Sequence, residues 1–167
     1  MKSRYYAIVA VATLGLVIGL SGSNRASGNT SDLEASFTPK EKELASYMAE
    51  LQVLSHKLGL SIDADNEPLI KFYLHESKVK IEEIQNELPE YEGVPVALYM
   101  DRMAWPAYKS LDQALASKSG YNSKAVREAY RVLINSCNAC HISSEHPYIR
   151  IKHNKSNPYL QDFAAQD

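Results

Sequence analysis

Apolar residues recur every three or four positions through most of the chain, which is the spacing of one face of an α-helix. This pattern predicts four amphipathic helices, which run from Thr38 to near Gly59, from Asp65 to near Leu88, from Pro95 to near Ala116 and from Asn122 through His141. The alternation of apolar and polar residues that marks half-buried strands is lacking. We therefore expect an all-α fold, an antiparallel four-helix bundle over residues 38–141.

Each predicted helix has one apolar stripe, and together the stripes are expected to form the core. Their members are Leu44, Tyr47, Met48, Leu51, Leu54, Ser55 and Leu58; Ile70, Leu74, Ser77, Ile81, Ile84 and Leu88; Tyr99, Met103, Tyr108, Leu111 and Leu115; and Val126, Ala129, Tyr130, Leu133, Ile134 and Cys137. The second stripe has the seven-residue pattern that is typical of bundle seams.

Residues at the predicted helix ends agree with this division. Thr38–Glu41 form a capping box with proline at the first helical position. Asp65–Pro68 and Asn122–Ser123 provide comparable starts for the second and fourth helices. Gly59, near the end of the first helix, is typical of a helix C-terminus. Pro106 interrupts the third helix, so we expect a kink or two shorter helices there.

The N-terminal segment, residues 1–23, has the pattern of an export signal. Lys2 and Arg4 precede the uncharged run Ala7–Leu20, whose length of about 14 residues suits a signal peptide and is short for a spanning helix. The Ser/Asn/Gly-rich residues 24–37 are expected to form a flexible leader. Whether the signal is cleaved or stays as an N-terminal membrane anchor, we expect the remainder to be extracytoplasmic, in the periplasm or a comparable compartment.

Composition narrows the class of protein. The chain has 167 residues, 45% of them hydrophobic and 23% charged, which is typical of one folded domain. Its formal net charge of −2 argues against a nucleic-acid partner, because such binders carry a basic excess. Only two cysteines are present, so a scaffold held together by several disulfides is excluded.

Those two cysteines belong to the most specific motif of the sequence. Cys137, Cys140 and His141 form C-x-x-C-H, the attachment motif of a c-type haem. Residues three and four apart lie on one face of a helix, so both thiols can form thioethers with the vinyl groups of one porphyrin. The adjacent imidazole can then bind the iron as the proximal ligand. The motif continues the fourth apolar stripe, which directs the haem toward the bundle seam.

Three alternatives to haem can be stated for the same residues. A disulfide between Cys137 and Cys140 is compatible with an exported protein. A redox-active C-x-x-C would be expected beside a βαβ pattern, which the sequence lacks. Zinc needs four ligands, and only His141, His146 and His153 lie near the cysteines.

A haem motif on the last helix of an exported four-helix bundle resembles the class II cytochromes c, the cytochrome c′ type. The motif comes after three predicted helices, and no methionine follows His141, which argues against small cytochromes with an early motif and a later methionine ligand. The resemblance covers about residues 38–141 and implies one covalent haem c and a distal residue on the first helix. Residues 142–167 depart from the usual pattern, in which the chain ends soon after the motif. We expect this C-terminal extension to pack near the haem.

The sixth iron position decides between function classes. Met48 lies on the first stripe at a suitable height, although most helical methionines only fill the core. His56 is chemically the stronger ligand but lies farther along the helix and off the stripe. His153 in the extension is a less favoured candidate. Alternatively Leu44, Tyr47 or Leu51 covers the iron and leaves it five-coordinate.

Charged residues near the motif suggest further roles. Arg150 or Lys152 can pair with haem propionates, because guanidinium binds carboxylate in two-point geometry. The same basic surface favours a negatively charged redox partner. The sequence thus predicts a one-electron carrier, with a five-coordinate protein that binds NO or CO as the alternative. The sequence identifies no acid–base group on the distal side of the haem, so we do not expect an enzyme. A homodimer is compatible with the sequence.

Overall fold

The computed structural model describes residues 43–117 and 120–165. Within these ranges all regular secondary structure is helical, and no β-strand is present apart from one isolated bridge between Tyr91 and Val94. The all-α prediction is therefore confirmed for the described part of the chain. The predicted signal peptide 1–23, the leader 24–37 and the predicted capping box at Thr38–Glu41 lie outside the described residues.

The first two helices are α1, Leu44–Asp63, and α2, Glu67–Glu87. The start of α2 is as predicted, because the Asn66 side chain accepts a hydrogen bond from the Leu69 amide at 3.2 Å. The end of α1 is not as predicted, since the helix continues four residues beyond Gly59 to Asp63.

Gly59 has a packing role within α1 and does not end the helix. A Cβ atom at this position would lie 2.5 Å from the hydroxyl oxygen of Tyr130, closer than side chains approach one another. Glycine is needed here because the ring of Tyr130 lies directly on the α1 backbone. The turn that does end α1 is made at Asp65, whose φ is 51°.

The third helical stretch has three parts: α3, Val96–Tyr99; a π-helical segment, Met100–Ala104; and α4, Trp105–Leu115. The predicted interruption is therefore present. Pro106 has no amide hydrogen, so the regular hydrogen-bond ladder cannot pass through it, and the turn before it widens to π geometry. The Trp105 indole donates to Gln85 Oε1 at 2.7 Å, which ties this widened turn to α2.

The last helix is α5, Ser123–Ser143. Its start is as predicted, with the Asn122 side chain accepting from the Ala125 amide at 3.0 Å. At its end Glu145 adopts a left-handed φ of 64°, and the His146 amide donates to the His141 carbonyl at 2.8 Å. This arrangement closes the helix and reverses the direction of the chain.

The predicted stripes form the core. Every predicted stripe residue of α2 is buried, as are those of α5 up to Ile134, while Leu44, Met48, Leu54, Tyr99, Met103 and Cys137 are only partly buried. Contacts between the helices include Glu50 with Lys80, Lys78 with Asp112, and the Tyr130 hydroxyl with the Ser55 carbonyl. None of the described helices is long and apolar enough to span a membrane.

The C-terminal extension has no regular secondary structure but follows a defined path. It begins beside α5, where the Asn138 side chain pairs with the Ile151 backbone. Farther on, His153 pairs with Asp63 at 2.9 Å, and Tyr159 contacts His56. The buried Phe163 ends this path, its carbonyl accepting a hydrogen bond from Asn66 at 3.1 Å. The extension thus runs from the motif to the turn between α1 and α2.

Candidate haem-attachment site

The C-x-x-C-H residues occupy the last turns of α5. Cys137 is half-buried and packs against the core, directly after the buried stripe residues Leu133 and Ile134. Because Cys140 and His141 follow at positions three and four, the helix presents all three side chains on neighbouring parts of one face. The geometry therefore agrees with attachment of one planar group along the end of the helix.

Both cysteines have free thiols. Burial raises the pKa of the Cys137 thiol to about 11, and the neighbouring Cys140 thiol adds to this shift. Burial also raises the pKa of Cys140 above its ordinary value. A catalytic or redox-active cysteine needs the opposite, a lowered pKa that populates the thiolate at neutral pH. The environment of these thiols therefore disfavours the redox interpretation of C-x-x-C.

The histidines that a zinc site would require have other partners. His146 Nδ1 contacts the Ser144 carbonyl, and His153 Nε2 contacts Asp63. In the described part of the chain, no three His, Cys, Asp or Glu side chains converge in a group that could hold a metal ion by themselves. A haem needs only one protein ligand besides the porphyrin nitrogens, so this observation bears on zinc and leaves haem open.

His141 is oriented by the extension. Its Nδ1 lies 2.9 Å from the carbonyl oxygen of Ile149. A carbonyl oxygen can only accept, so the hydrogen of the neutral ring is on Nδ1 and the lone pair is on Nε2. Among the described residues, none forms a hydrogen bond with Nε2. This is the state of a histidine that serves as a metal ligand, with its second nitrogen bonded to a carbonyl group.

The residues present thus fit a covalently attached haem. Two thiols at the required spacing lie where a core-facing stripe ends, and the histidine beside them donates from Nδ1 to a backbone carbonyl, so Nε2 is the nitrogen left for a ligand role. With the haem bound, Cys137 and Cys140 would hold its edge and His141 would hold its iron.

The three sequence candidates for the sixth position lie in different surroundings. Met48 is half-buried on α1 and packs against the core. His56 contacts the extension: its Nδ1 lies 3.1 Å from the Tyr159 hydroxyl, and the two rings are 5.4 Å apart. His56 Nε2 is buried and has no hydrogen-bond partner among the described residues. His153, the third candidate, packs on Tyr130 and pairs with Asp63.

A buried hydroxyl near Cys137 was not singled out from the sequence. Tyr108 on α4 is fully buried, and its hydroxyl forms no well-aligned hydrogen bond with another described residue. Burial raises the pKa of Tyr108 well above its ordinary value, and the nearby Cys137 adds to the shift. Ser55 and Ser77, both buried, lie near this hydroxyl. The sequence signal for this buried polar region was the presence of Ser55 and Ser77 within the apolar stripes.

Basic residues before and after the motif differ in their surroundings. Arg127 pairs with Asp65 at 2.9 Å, and Arg131 pairs with Glu128 on the same helix. These two arginines therefore form structural ion pairs. Arg150 is exposed and lies between Ile149 and Ile151, whose backbone groups contact His141 and Asn138 on α5.

An open groove of about 720 Å³ lies away from this site. It is lined by His75, Lys78, Val79, Glu82, Asp101, Trp105, Pro106, Lys109 and Asp112. None of these residues belongs to α5 or to the C-terminal extension.

Comparison with known proteins adds no relative. No protein-family model, no curated protein and no solved structure matches this chain. Assignment of the site therefore depends on its residues and their geometry.

Proposed function

We propose that this chain is an exported mono-haem c-type cytochrome that carries single electrons between extracytoplasmic partners. Cys137 and Cys140 hold the haem covalently and His141 is the proximal ligand. The observation that carries the proposal is the hydrogen bond from His141 Nδ1 to the Ile149 carbonyl, which leaves Nε2 free beside the two thiols. When bound, the haem supplies the one-electron iron couple, and the chain supplies attachment, orientation and shielding from water.

The proposal includes an antiparallel four-helix bundle. Contacts of α1 with α5 support it, because Ile62 near the end of α1 meets Arg127 near the start of α5, while Ser55 meets Tyr130. Contacts of α2 with its neighbours follow the same order: Glu50 with Lys80, Lys57 with Tyr73, Lys78 with Asp112 and Gln85 with Trp105. In such a bundle the C-terminal end of α5 lies beside the N-terminal half of α1.

Within this arrangement Met48 is the best candidate for the sixth position. Cys137 lies seven residues after Tyr130 on α5, and Met48 lies seven residues before Ser55 on α1. Because the two helices are antiparallel, both lie in the same direction from the contact of Tyr130 with Ser55, at roughly 10 Å of helix rise. Met48 therefore lies at the level of the motif. His56 lies near the level of Tyr130 and is engaged with Tyr159, so it is not the ligand in this account.

The surface near the motif is proposed to serve propionate binding and partner docking. Arg150 is exposed, and its two neighbours are fixed against α5, so its guanidinium can reach a carboxylate at the haem edge. Lys152 and Lys155 extend the basic surface toward an acidic redox partner. No nucleic-acid partner and no catalytic reaction form part of the proposal, and a homodimer is compatible with it.

A second function has one specific observation in its favour. Among the described residues, the buried Tyr108 hydroxyl forms no well-aligned hydrogen bond and has only the Ser55 and Ser77 side chains beside it, and a poorly satisfied buried polar group is costly. In a five-coordinate haem protein this hydroxyl could donate to a small ligand such as NO or CO. The alternative proposal is therefore a gas-binding protein of the cytochrome c′ type.

Absorption spectra of oxidised and reduced protein, with and without CO, separate the two functions. The carrier with Met48 as ligand is low-spin when oxidised, has a weak far-red sulfur–iron band and binds CO slowly. Met48→Ala should abolish that band and open the iron to CO, whereas Met103→Ala, which changes another half-buried methionine, should not. A wild-type protein that is already high-spin and binds CO at once would favour the gas-binding function. If only His56→Ala changes the spectrum, the sixth ligand is His56 and not Met48.

A further inference from the structure

The carbonyl that orients His141 belongs to a segment without helix or strand. Residues 144–151 leave α5, turn at Glu145 and return along the same helix. Backbone hydrogen bonds close this turn: the His146 amide donates to the His141 carbonyl at 2.8 Å, and the Ile149 amide donates to the His146 carbonyl at 3.0 Å. Segments without regular structure are more mobile than helices, so a further contact is needed to keep the Ile149 carbonyl in a fixed direction.

Asn138 holds that far end. Its side-chain amide donates to the Ile151 carbonyl at 2.9 Å, and its side-chain oxygen accepts from the Ile151 amide at 2.8 Å. One side chain therefore satisfies both backbone groups of Ile151, as a neighbouring strand would. Ile149, whose carbonyl accepts from His141, is only two residues away.

Attachment chemistry does not require this asparagine. Asn138 is one of the two intervening positions of C-x-x-C-H, and only the thiols and the imidazole of that motif take part in haem binding. Its two hydrogen bonds are both made to the extension, so its side chain is committed to fixing residues 149–151 against α5.

We propose that Asn138 is a positioning residue that, through Ile151, keeps the Ile149 carbonyl on His141 and so lets the C-terminal extension set the reduction potential of the haem. This inference depends on the proposed haem function. A carbonyl bonded to Nδ1 makes the imidazole a stronger electron donor, which favours the oxidised iron. Loss of the hydrogen bond therefore raises the potential.

The test compares holoprotein variants by potentiometric titration. Asn138→Ala should raise the potential by about 59 mV, equivalent to a tenfold change in relative stabilisation of the two oxidation states for one electron. It should also speed solvent exchange of the His141 Nδ1 proton, followed by NMR, which a general loss of packing elsewhere would not do selectively. Asn157→Ala is the matched control, because Asn157 makes an equivalent pair of bonds with Gln161 and Tyr159 farther along the extension.

A second variant breaks the same contact at Ile151, the partner of Asn138. Ile151→Pro removes the amide that donates to Asn138, and it should shift the potential in the same direction. Because both substitutions break one pair, their effects should not add in the double variant. If Asn138→Ala does not fold, Ile151→Pro provides the same test.

The inference is overturned if the variants that fold keep the wild-type potential and proton exchange, or if Asn157→Ala changes both by as much. The proposed function fails in a different way. In that case the wild-type protein itself carries no covalent haem by mass spectrometry, whereas Asn138→Ala retains the cysteines and His141 and should carry it.

Discussion

The two ends of α5 use their polar groups in opposite ways. At the start of the helix, Arg127 pairs with Asp65, and Tyr130 donates to the Ser55 carbonyl. These groups satisfy one another across three elements and leave little capacity for a ligand. At the other end the thiols have no such partners among the described hydrogen bonds, and His141 is held by one ring nitrogen only.

This difference separates stability from chemistry within one helix. The start of α5 contains paired groups that fix the helix on α1, as structural positions do. The end of α5 contains groups that are oriented but still able to bind, as functional positions are. Substitutions at the first end should therefore change the free energy of unfolding, and substitutions at the second should change haem binding.

The largest effect is expected from His141→Ala. It removes the proposed proximal ligand and leaves both cysteines, so the haem should stay covalently attached while the axial-ligand features of its spectrum are lost. His146→Ala is the matched control, because His146 lies in the turn after α5 and contacts Ser144. Optical and electron paramagnetic resonance spectra check the result. Equal spectra for His141→Ala and wild type would contradict the ligand assignment.

Gly59→Ala should destabilise the fold without affecting haem attachment. The added Cβ would meet the Tyr130 hydroxyl at 2.5 Å, and overpacking of this kind costs about 1–3 kcal/mol. Alanine gains about 1 kcal/mol in helix propensity, so the clash prevails. Urea unfolding followed by circular dichroism measures the change. The penalty should be smaller in a Tyr130→Phe background; a penalty that is unchanged there would disprove the proposed contact.

Tyr130→Phe alone should have a more moderate effect, about 0.5–1.5 kcal/mol. It removes the hydrogen bond from the buried hydroxyl to the Ser55 carbonyl at 2.9 Å and keeps the ring. The same unfolding experiment applies, and the spectrum of the haem should be unaltered. A large spectral change with little loss of stability would mean that this end of α5 also contributes to the haem site.

The ion pair of Arg127 with Asp65 should give the smallest effect, about 0.5 kcal/mol, because both side chains are substantially exposed. The Arg127 guanidinium lowers the pKa of Asp65 below its ordinary value. Its contribution is therefore fully present above the unfolded-state pKa near 3.8 and is lost as the pH falls through the lower folded-state value. Asp65→Asn should remove this dependence in thermal unfolding between pH 6 and pH 3. If the variant keeps the acid dependence of the wild-type protein, that dependence arises from another carboxyl group.

Local sequence signals predicted most of the helices. The stripe of α2, the caps at Asn66 and Asn122 and the interruption at Pro106 are all present, because each depends on residues close in the chain. Gly59 was misassigned because the residue that requires a glycine there, Tyr130, is on another helix.

The C-x-x-C-H motif was found from sequence for the same reason: its spacing is local. Its surroundings were not predictable in detail. The Ile149 carbonyl and the Asn138 pair depend on the path of an extension that has no periodic pattern, and the unpaired Tyr108 hydroxyl depends on how four helices meet. Contacts of this kind are set by tertiary packing, which a single sequence does not display.

The most direct test of the account is the intact mass of the protein under denaturing conditions, after expression in a host that matures c-type cytochromes. The account predicts a mass increased by one haem, with the increment on the peptide that contains Cys137 and Cys140. The variant with both cysteines changed to serine should lack it. A wild-type mass without haem, or haem that washes out in denaturant, would contradict covalent attachment of haem to Cys137 and Cys140.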